Sequence, residues 1–195
     1  MRRLWKCSFG GMGIAVLAAG GYLLAIQLLG NFHEVVAGQL YRSNQPSSEQ
    51  LVRYTRDNGI KTVINLRGEN ESEDWYKDEI KTSRELGLTH IDFGMSARHE
   101  LDMTKVNQLV AIMRDAPKPI LIHCKSGADR TGLATALYLG RVAYLGEKAA
   151  ESQLSVRYGH IGIPYLSETY AMDQTWENVE HMSIADDFTI ASNEF

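Results

Sequence analysis

Five residues separate Cys124 from Arg130 in the run HCKSGADRTG, residues 123–132. That spacing suits a short loop wrapped around an anion. The apolar stretch ILIH leads into Cys124 like a buried strand, and a helix starts at Thr131-Gly132. Successive backbone N–H groups of such a loop converge, and the helix dipole adds positive partial charge at the same place. Gly127 permits a turn that a side chain would obstruct. Arg130, in the first helical turn, presents a planar fork to two phosphate oxygens. Amide donors and a guanidinium favour the thiolate form of a cysteine, which is the nucleophile. The chemistry implied is in-line attack of the Cys124 sulfur on a phosphate monoester, giving a phosphocysteine that water hydrolyses. Loop N–H groups and Arg130 stabilise the equatorial oxygens in both steps. The scheme calls for no metal and no cofactor.

The elements around the loop alternate between strand-like and helix-like. VVAGQLYRS suggests short extended segments, and Ser47 with Gln50 forms a capping box for a helix ending near Asn58-Gly59. KTVINL (61–66) reads as a buried strand, DWYKDEIKTSRELG (74–87) as a helix closed by glycine, and LTHIDFGM as a further strand. Val106, Leu109, Val110 and Met113 make 103–115 an amphipathic helix, which the APKP turn joins to the strand ILIHC. Two helices, TGLATALYLGRVAYLG and EKAAESQLSVRYG, follow the loop. The alternation predicts a layered α/β domain over 33–183 with a central, mostly parallel sheet flanked by helices, and a loose tail over 184–195. Ligands bind such sheets at the C-terminal ends of strands, where Cys124 falls.

With 195 residues, 44% of them apolar, the chain can bury one domain of common size. Its two cysteines, Cys7 and Cys124, make no disulfide framework, and no zinc spacing occurs. The three cations of residues 1–32 leave the rest at −7 against −4 for the whole, so nucleic acid is not an expected partner. No charged residue lies between Cys7 and Phe32. This predicts a transmembrane signal-anchor helix over 9–31, a cytoplasmic N-terminus over 1–8 carrying Arg2, Arg3 and Lys6, and a domain facing the periplasmic side of a bacterial inner membrane. Cleavage near Ala18-Ala19-Gly20, with export, is the alternative.

The signature H-C-x-x-G-x-x-R-[S/T], together with QLYRSNQPSSEQL and GIKTVINLR, resembles cysteine-dependent tyrosine and dual-specificity phosphatases. The likeness is to compact bacterial and atypical dual-specificity members and runs from Val36 to Gly159. It implies a protein tyrosine phosphatase-like fold with Cys124 as nucleophile and Arg130 as phosphate clamp. Thr131 would assist the thiolate through its hydroxyl. Lys125, Ser126, Gly127, Ala128 and Asp129 would form the N–H cradle, and His123 would orient the loop. A general acid must also protonate the leaving oxygen. Bacterial relatives ending G-x-D-R-T-G point to Asp129, whereas the outer-loop position common in the family offers Asp102 or Glu100. Asp102 equally suits the N-cap of the helix starting at Met103. The implied substrate is a phosphorylated protein, with a lipid head-group or phosphoinositide-like phosphate as runner-up. A rhodanese-like sulfurtransferase and a catalytically silent phosphate-binding module are more distant readings.

Overall fold

Three strands in which every residue is buried form the middle of the sheet: β2 (Leu40–Ser43), β3 (Thr62–Asn65) and β5 (Ile120–His123). Strands without a polar face need cover on both sides. The computed structural model, which describes residue 13 and residues 17–180, supplies it. The order is β1-β2-β5-β3-β4, with β1 (His33–Val36) and β4 (Thr89–Asp92) at the edges. Only β1 is antiparallel to its neighbour. Alternate residues face opposite layers. Leu40, Ile64, Ile120 and Ile122 join the larger core, while Tyr41, Val63 and Leu121 join the smaller one.

Helix α2 (Ser48–Asn58) begins with the Ser47–Gln50 capping box and ends at Gly59 in the left-handed conformation, as its sequence predicts. With α3 (Asp74–Glu85) it covers the smaller core. On the other face lie α4 (Met103–Asp115) and α5 (Asp129–Arg141). Residues 131–139 of α5 are all buried, as expected for a helix packed on every side. His123 pairs in register with both Ser43 and Asn65. The chain therefore leaves β2, β3 and β5 at one common edge of the sheet, and three loops meet around Cys124.

The structure alters two expectations and bears on a third. First, EKAAESQLSVRYG forms only a five-residue helix, α6 (Glu147–Glu151), followed by a 3-10 turn at Val156–Tyr158. Where the chain bends, the Gln153 N–H tightens to the Ala150 carbonyl at 3.0 Å, and its own carbonyl and side-chain oxygens accept from the Arg42 guanidinium at 3.1 and 2.8 Å beneath the loop. Second, helix α7, residues 171–180, buries Met172, Trp176 and Val179 in the main core, where the sequence had suggested no element. Third, the span expected over 9–31 is described only at residue 13 and from residue 17 onward. Helix α1 covers 17–28, Gly30 and Asn31 are buried in the domain, and the Tyr22 hydroxyl donates to the Arg157 carbonyl. No helix among the described residues is long and apolar enough to cross a membrane. Residues 1–12, 14–16 and the tail over 184–195 lie outside the described residues.

Candidate active site

Strand β5 delivers Cys124, 1% exposed, to the centre of the common edge. The loop after it is fastened by its carbonyls. The Gln45 N–H donates to Lys125 O at 3.3 Å. Gln27 Nε2 and Asn31 Nδ2 donate to Ser126 O at 2.9 and 3.1 Å. Arg42 Nη2 donates to Gly127 O at 2.8 Å and Ala128 O at 3.4 Å. A trans peptide points its N–H opposite to its C=O. Four successive carbonyls held from outside therefore turn the N–H groups of residues 126–129 toward the inner side of the loop. The arrangement can receive an anion, although the Ala128 N–H also reaches Ser126 Oγ at 3.4 Å, and its orientation is imposed by donors from α1, β2 and the segments that follow them.

Gly127 is required by close approach as well as by conformation. Its φ is +71°, and a Cβ there would lie 2.6 Å from Ser43 O and 2.7 Å from Asn44 N. Both obstacles are backbone atoms at the end of β2.

Arg42 lies wholly buried under the loop, its guanidinium 3.8 Å from the centroid of the Tyr158 ring. It donates further to Thr135 Oγ1 at 3.3 Å. Burial lowers it to about 10. A buried cation beneath a loop built for an anion adds positive potential at the site.

On the smaller-core side, His123 is fully buried with Nε2 3.1 Å from Glu79 Oε2, in ion-pair range but without the alignment of a hydrogen bond. Glu79 also meets His90 Nε2 at 2.7 Å and accepts from Gln45 Nε2. Burial opposes its charge, yet His123 and His90 prevail and hold its carboxyl well below the usual carboxylate range. Gln45 Oε1 in turn accepts from Arg67 Nη1 at 2.8 Å. The Arg67 guanidinium stacks 3.4 Å from the Trp75 ring centroid. Burial and the like charge of Arg130 lower Arg67 from its ordinary value, so two guanidinium groups share this region. Arg130 itself is tethered through Nη1 to Leu66 O and Met95 O, each at 3.3 Å, on the loops after β3 and β4.

The structure separates the candidate acids. Asp102 caps α4 by accepting from the Lys105 N–H at 2.9 Å, and Glu100 accepts from Asn178 Nδ2 at 3.0 Å; both are exposed. Asp129 ends the loop as the first residue of α5, its Oδ1 2.8 Å from His160 Nδ1. Thr131 Oγ1 is buried without a hydrogen-bond partner among the described residues.

Sequence reasoning named Cys124, Arg130, Asp129 and the residues of the loop; the structure surrounds them with Gln27, Asn31, Arg42, Gln45, Arg67, Glu79, His160 and Asp173, which that reasoning missed. Arg42 in an otherwise strand-like LYRS was a visible signal, since a charge inside a buried strand needs partners. His160 closing RYGH was another.

Residues 30–162, more than half of the chain, match the family model described as "DSP-PTPase phosphatase fused to NAD+ Kinase". A curated relative, the chloroplastic NAD kinase 2 of Arabidopsis thaliana, is 29% identical over 93 residues, which make up 47% of this chain but 9% of the relative. The chain thus spans a small part of that protein. Among solved structures, P. aeruginosa TpbA is similar with a TM-score of 0.58 and 21% identity over 80% of this chain and 90% of that one. A complex of TpbA with pTyr is similar at a TM-score of 0.51 and 23% identity, over 67% of this chain and 75% of that one. The core catalytic domain of the PP-IP phosphatase SIW14 from S. cerevisiae gives 0.59 and 21% over 82% and 93%.

Proposed function

Because the chain belongs to the DSP-PTPase family, whose model it matches over residues 30–162, we propose that it hydrolyses phosphate monoesters through a phosphocysteine formed at Cys124. It is a cysteine-dependent phosphatase. The observation that supports the mechanism best is the row of outward-held carbonyls at Lys125, Ser126, Gly127 and Ala128. This leaves N–H groups pointing at one place beside Cys124, complementary to the equatorial oxygens of a transferring phosphoryl group. Arg130 exchanges its weak carbonyl contacts for two phosphate oxygens. His123 and Glu79 brace the strand end, and Thr131 offers its hydroxyl to the leaving thiolate in the second step. Asp129 is the general acid for the first step. Asp102 and Glu100 have other partners.

The substrate proposed is a phosphorylated protein side chain, in keeping with the pTyr held by TpbA. A second reading, a polyphosphorylated head group, is favoured by one observation: Arg67 adds a cation next to Arg130. A panel of phosphotyrosyl and phosphoseryl peptides, phosphoinositide vesicles and inositol phosphates, with Cys124→Ser as blank, distinguishes them. Peptide turnover exceeding all others supports the protein reading, and preference for the multiply phosphorylated substrates rejects it.

Placement at the outer face of a bacterial inner membrane is likewise a proposal, resting on the charge-free run from Cys7 to Phe32 and the cations before it. A full span over 9–31 would require α1 to leave the domain and release Ser126. Membrane fractionation of the full chain, with protease accessibility of the domain, tests it.

A further inference from the structure

Two observations about His160 go unused by the mechanism above. Its ring is buried, at 2% exposure, and both ring nitrogens contact carboxylates: Nδ1 lies 2.8 Å from Asp129 Oδ1, and Nε2 lies 2.8 Å from Asp173 Oδ2. The arrangement is built by three segments. Asp129 opens α5, His160 follows the turn at Val156–Tyr158 with its N–H on Ser155 O at 3.1 Å, and Asp173 lies in the first turn of α7. A Cβ on Gly162 would collide with the Asp173 carboxylate, so the chain keeps that space open. Asp129 and Asp173 are the charged groups that face the ring, one from α5 and one from α7.

Hydrogen-bond arithmetic limits what this cluster contains. Each contact needs one proton, and a neutral imidazole carries a single N–H. Two contacts are satisfied by an imidazolium between two carboxylates, or by a neutral imidazole with one carboxylic acid. These two states hold the same number of protons. They differ only in where one proton sits along the 2.8 Å line between Nδ1 and Asp129. An isolated aspartate is ionised at neutral pH and has no proton to give a leaving group.

We propose that His160 stores the proton that Asp129 delivers to the leaving oxygen, with Asp173 keeping the ring charged and aligned. This rests on the reading of Asp129 as general acid. In the first step the S–P bond forms and the P–O bond to the leaving group breaks. Asp129 protonates the departing oxygen and draws the Nδ1 proton of His160, leaving a neutral ring. In the second step water attacks phosphorus and the S–P bond breaks to return the thiolate. One water proton passes to Asp129 and Nδ1, restoring the imidazolium. The other stays on the phosphate, and the cycle closes with no net proton change in the protein. His160 acts through Asp129 and is a positioning residue. Burial opposes charge on its ring, but the two hydrogen-bonded carboxylates prevail and raise it to about 9, so the store stays loaded through neutral pH.

The test uses the full chain and kcat/KM for p-nitrophenyl, phenyl and alkyl phosphates across about pH 5–10. For the wild type the proposal predicts that alkyl phosphate turnover holds through neutrality and falls near pH 9. In His160→Gln that falling limb moves below about pH 6, and alkyl phosphate turnover at neutral pH drops about 100-fold while p-nitrophenyl phosphate changes by less than about 10-fold. Asp173→Asn, which keeps an acceptor for Nε2, should move the limb the same way and stands in if His160→Gln fails to fold. A wild-type limb near pH 6 overturns the proposal without any variant. So do variants at both positions that keep the wild-type leaving-group dependence. If Asp129→Asn makes rate more sensitive to the leaving group while His160→Gln does not, the store is refuted and the general acid stands. If Asp129→Asn leaves that sensitivity unchanged, the general-acid reading fails first.

Discussion

Replacing Arg42 by methionine separates what the buried guanidinium does for stability from what it does for the loop. Methionine keeps an unbranched side chain of adaptable shape but removes the charge and all five donated hydrogen bonds. Burial lowers Arg42 from 12.5 to about 10. That gap corresponds to roughly 3 kcal/mol by which folding disfavours the charged side chain. Arg42→Met relieves it. On the other side, Gly127 O, Gln153 O and Gln153 Oε1 lose their donor, at about 1–3 kcal/mol each, whereas Ala128 O keeps the Gly132 N–H at 2.8 Å. The relief offsets part of this, and the net loss should lie between about 0 and 6 kcal/mol. Activity has no such compensation. Without the pull on Gly127 O, the cradle N–H groups lose their aim, and a displacement of about 1 Å costs on the order of 100-fold in rate. Urea unfolding followed by tryptophan fluorescence, alongside p-nitrophenyl phosphate turnover, reads both quantities. Turnover within about threefold of wild type would refute the argument that Arg42 orients the loop. An unfolded variant would refute the energetic comparison.

Gly127→Ala places a methyl group against the backbone of Ser43 and Asn44 and costs about 1–2 kcal/mol for the left-handed conformation alone; phosphate affinity measured by calorimetry should fall at least about 10-fold as the loop lifts from β2. Glu79→Gln removes one partner from a buried pair with His123 and His90 and should destabilise the domain by about 3 kcal/mol at neutral pH in chemical denaturation. The folded-state value of Glu79 lies below the unfolded one, so its stabilisation is present above the unfolded value and disappears as pH falls through the folded one. His160 behaves oppositely. Raised from 6.5 to about 9, it stabilises the fold fully below pH 6.5, and this stabilisation, at most about 3 kcal/mol, is lost as pH rises toward 9. Unfolding midpoints in that window should decline for the wild type and stay flat for His160→Gln.

Local chemistry was legible in the sequence wherever one short segment carried its own instructions. The Ser47 capping box, the Asp102 cap, the buried runs TVIN and ILIH, and the loop from Cys124 to Arg130 all sit within a few residues of the feature they determine. What the sequence concealed depends on partners far apart in the chain. Arg42 reaches Gln153, Gln45 bridges Glu79 and Arg67, and His160 joins Asp129 to Asp173. None of these pairings has a spacing rule, because the fold alone brings them together. The apolar run at the N-terminus is ambiguous for a related reason: hydropathy records that residues such as Leu23 and Ile26 avoid water, without saying whether lipid or the Gly159 turn covers them.

The central claim is that phosphoryl transfer passes through sulfur at residue 124. Rapid quench of the full chain and phosphorus-labelled p-nitrophenyl phosphate in alkaline denaturant, followed by peptide mapping at alkaline pH, tests it most directly. The account predicts an alkali-stable, acid-labile S-phosphocysteine on the peptide containing Cys124, absent from Cys124→Ser, with hydrolysis abolished in that variant. Label on another residue, or phosphate release by Cys124→Ser at the wild-type rate, would contradict it.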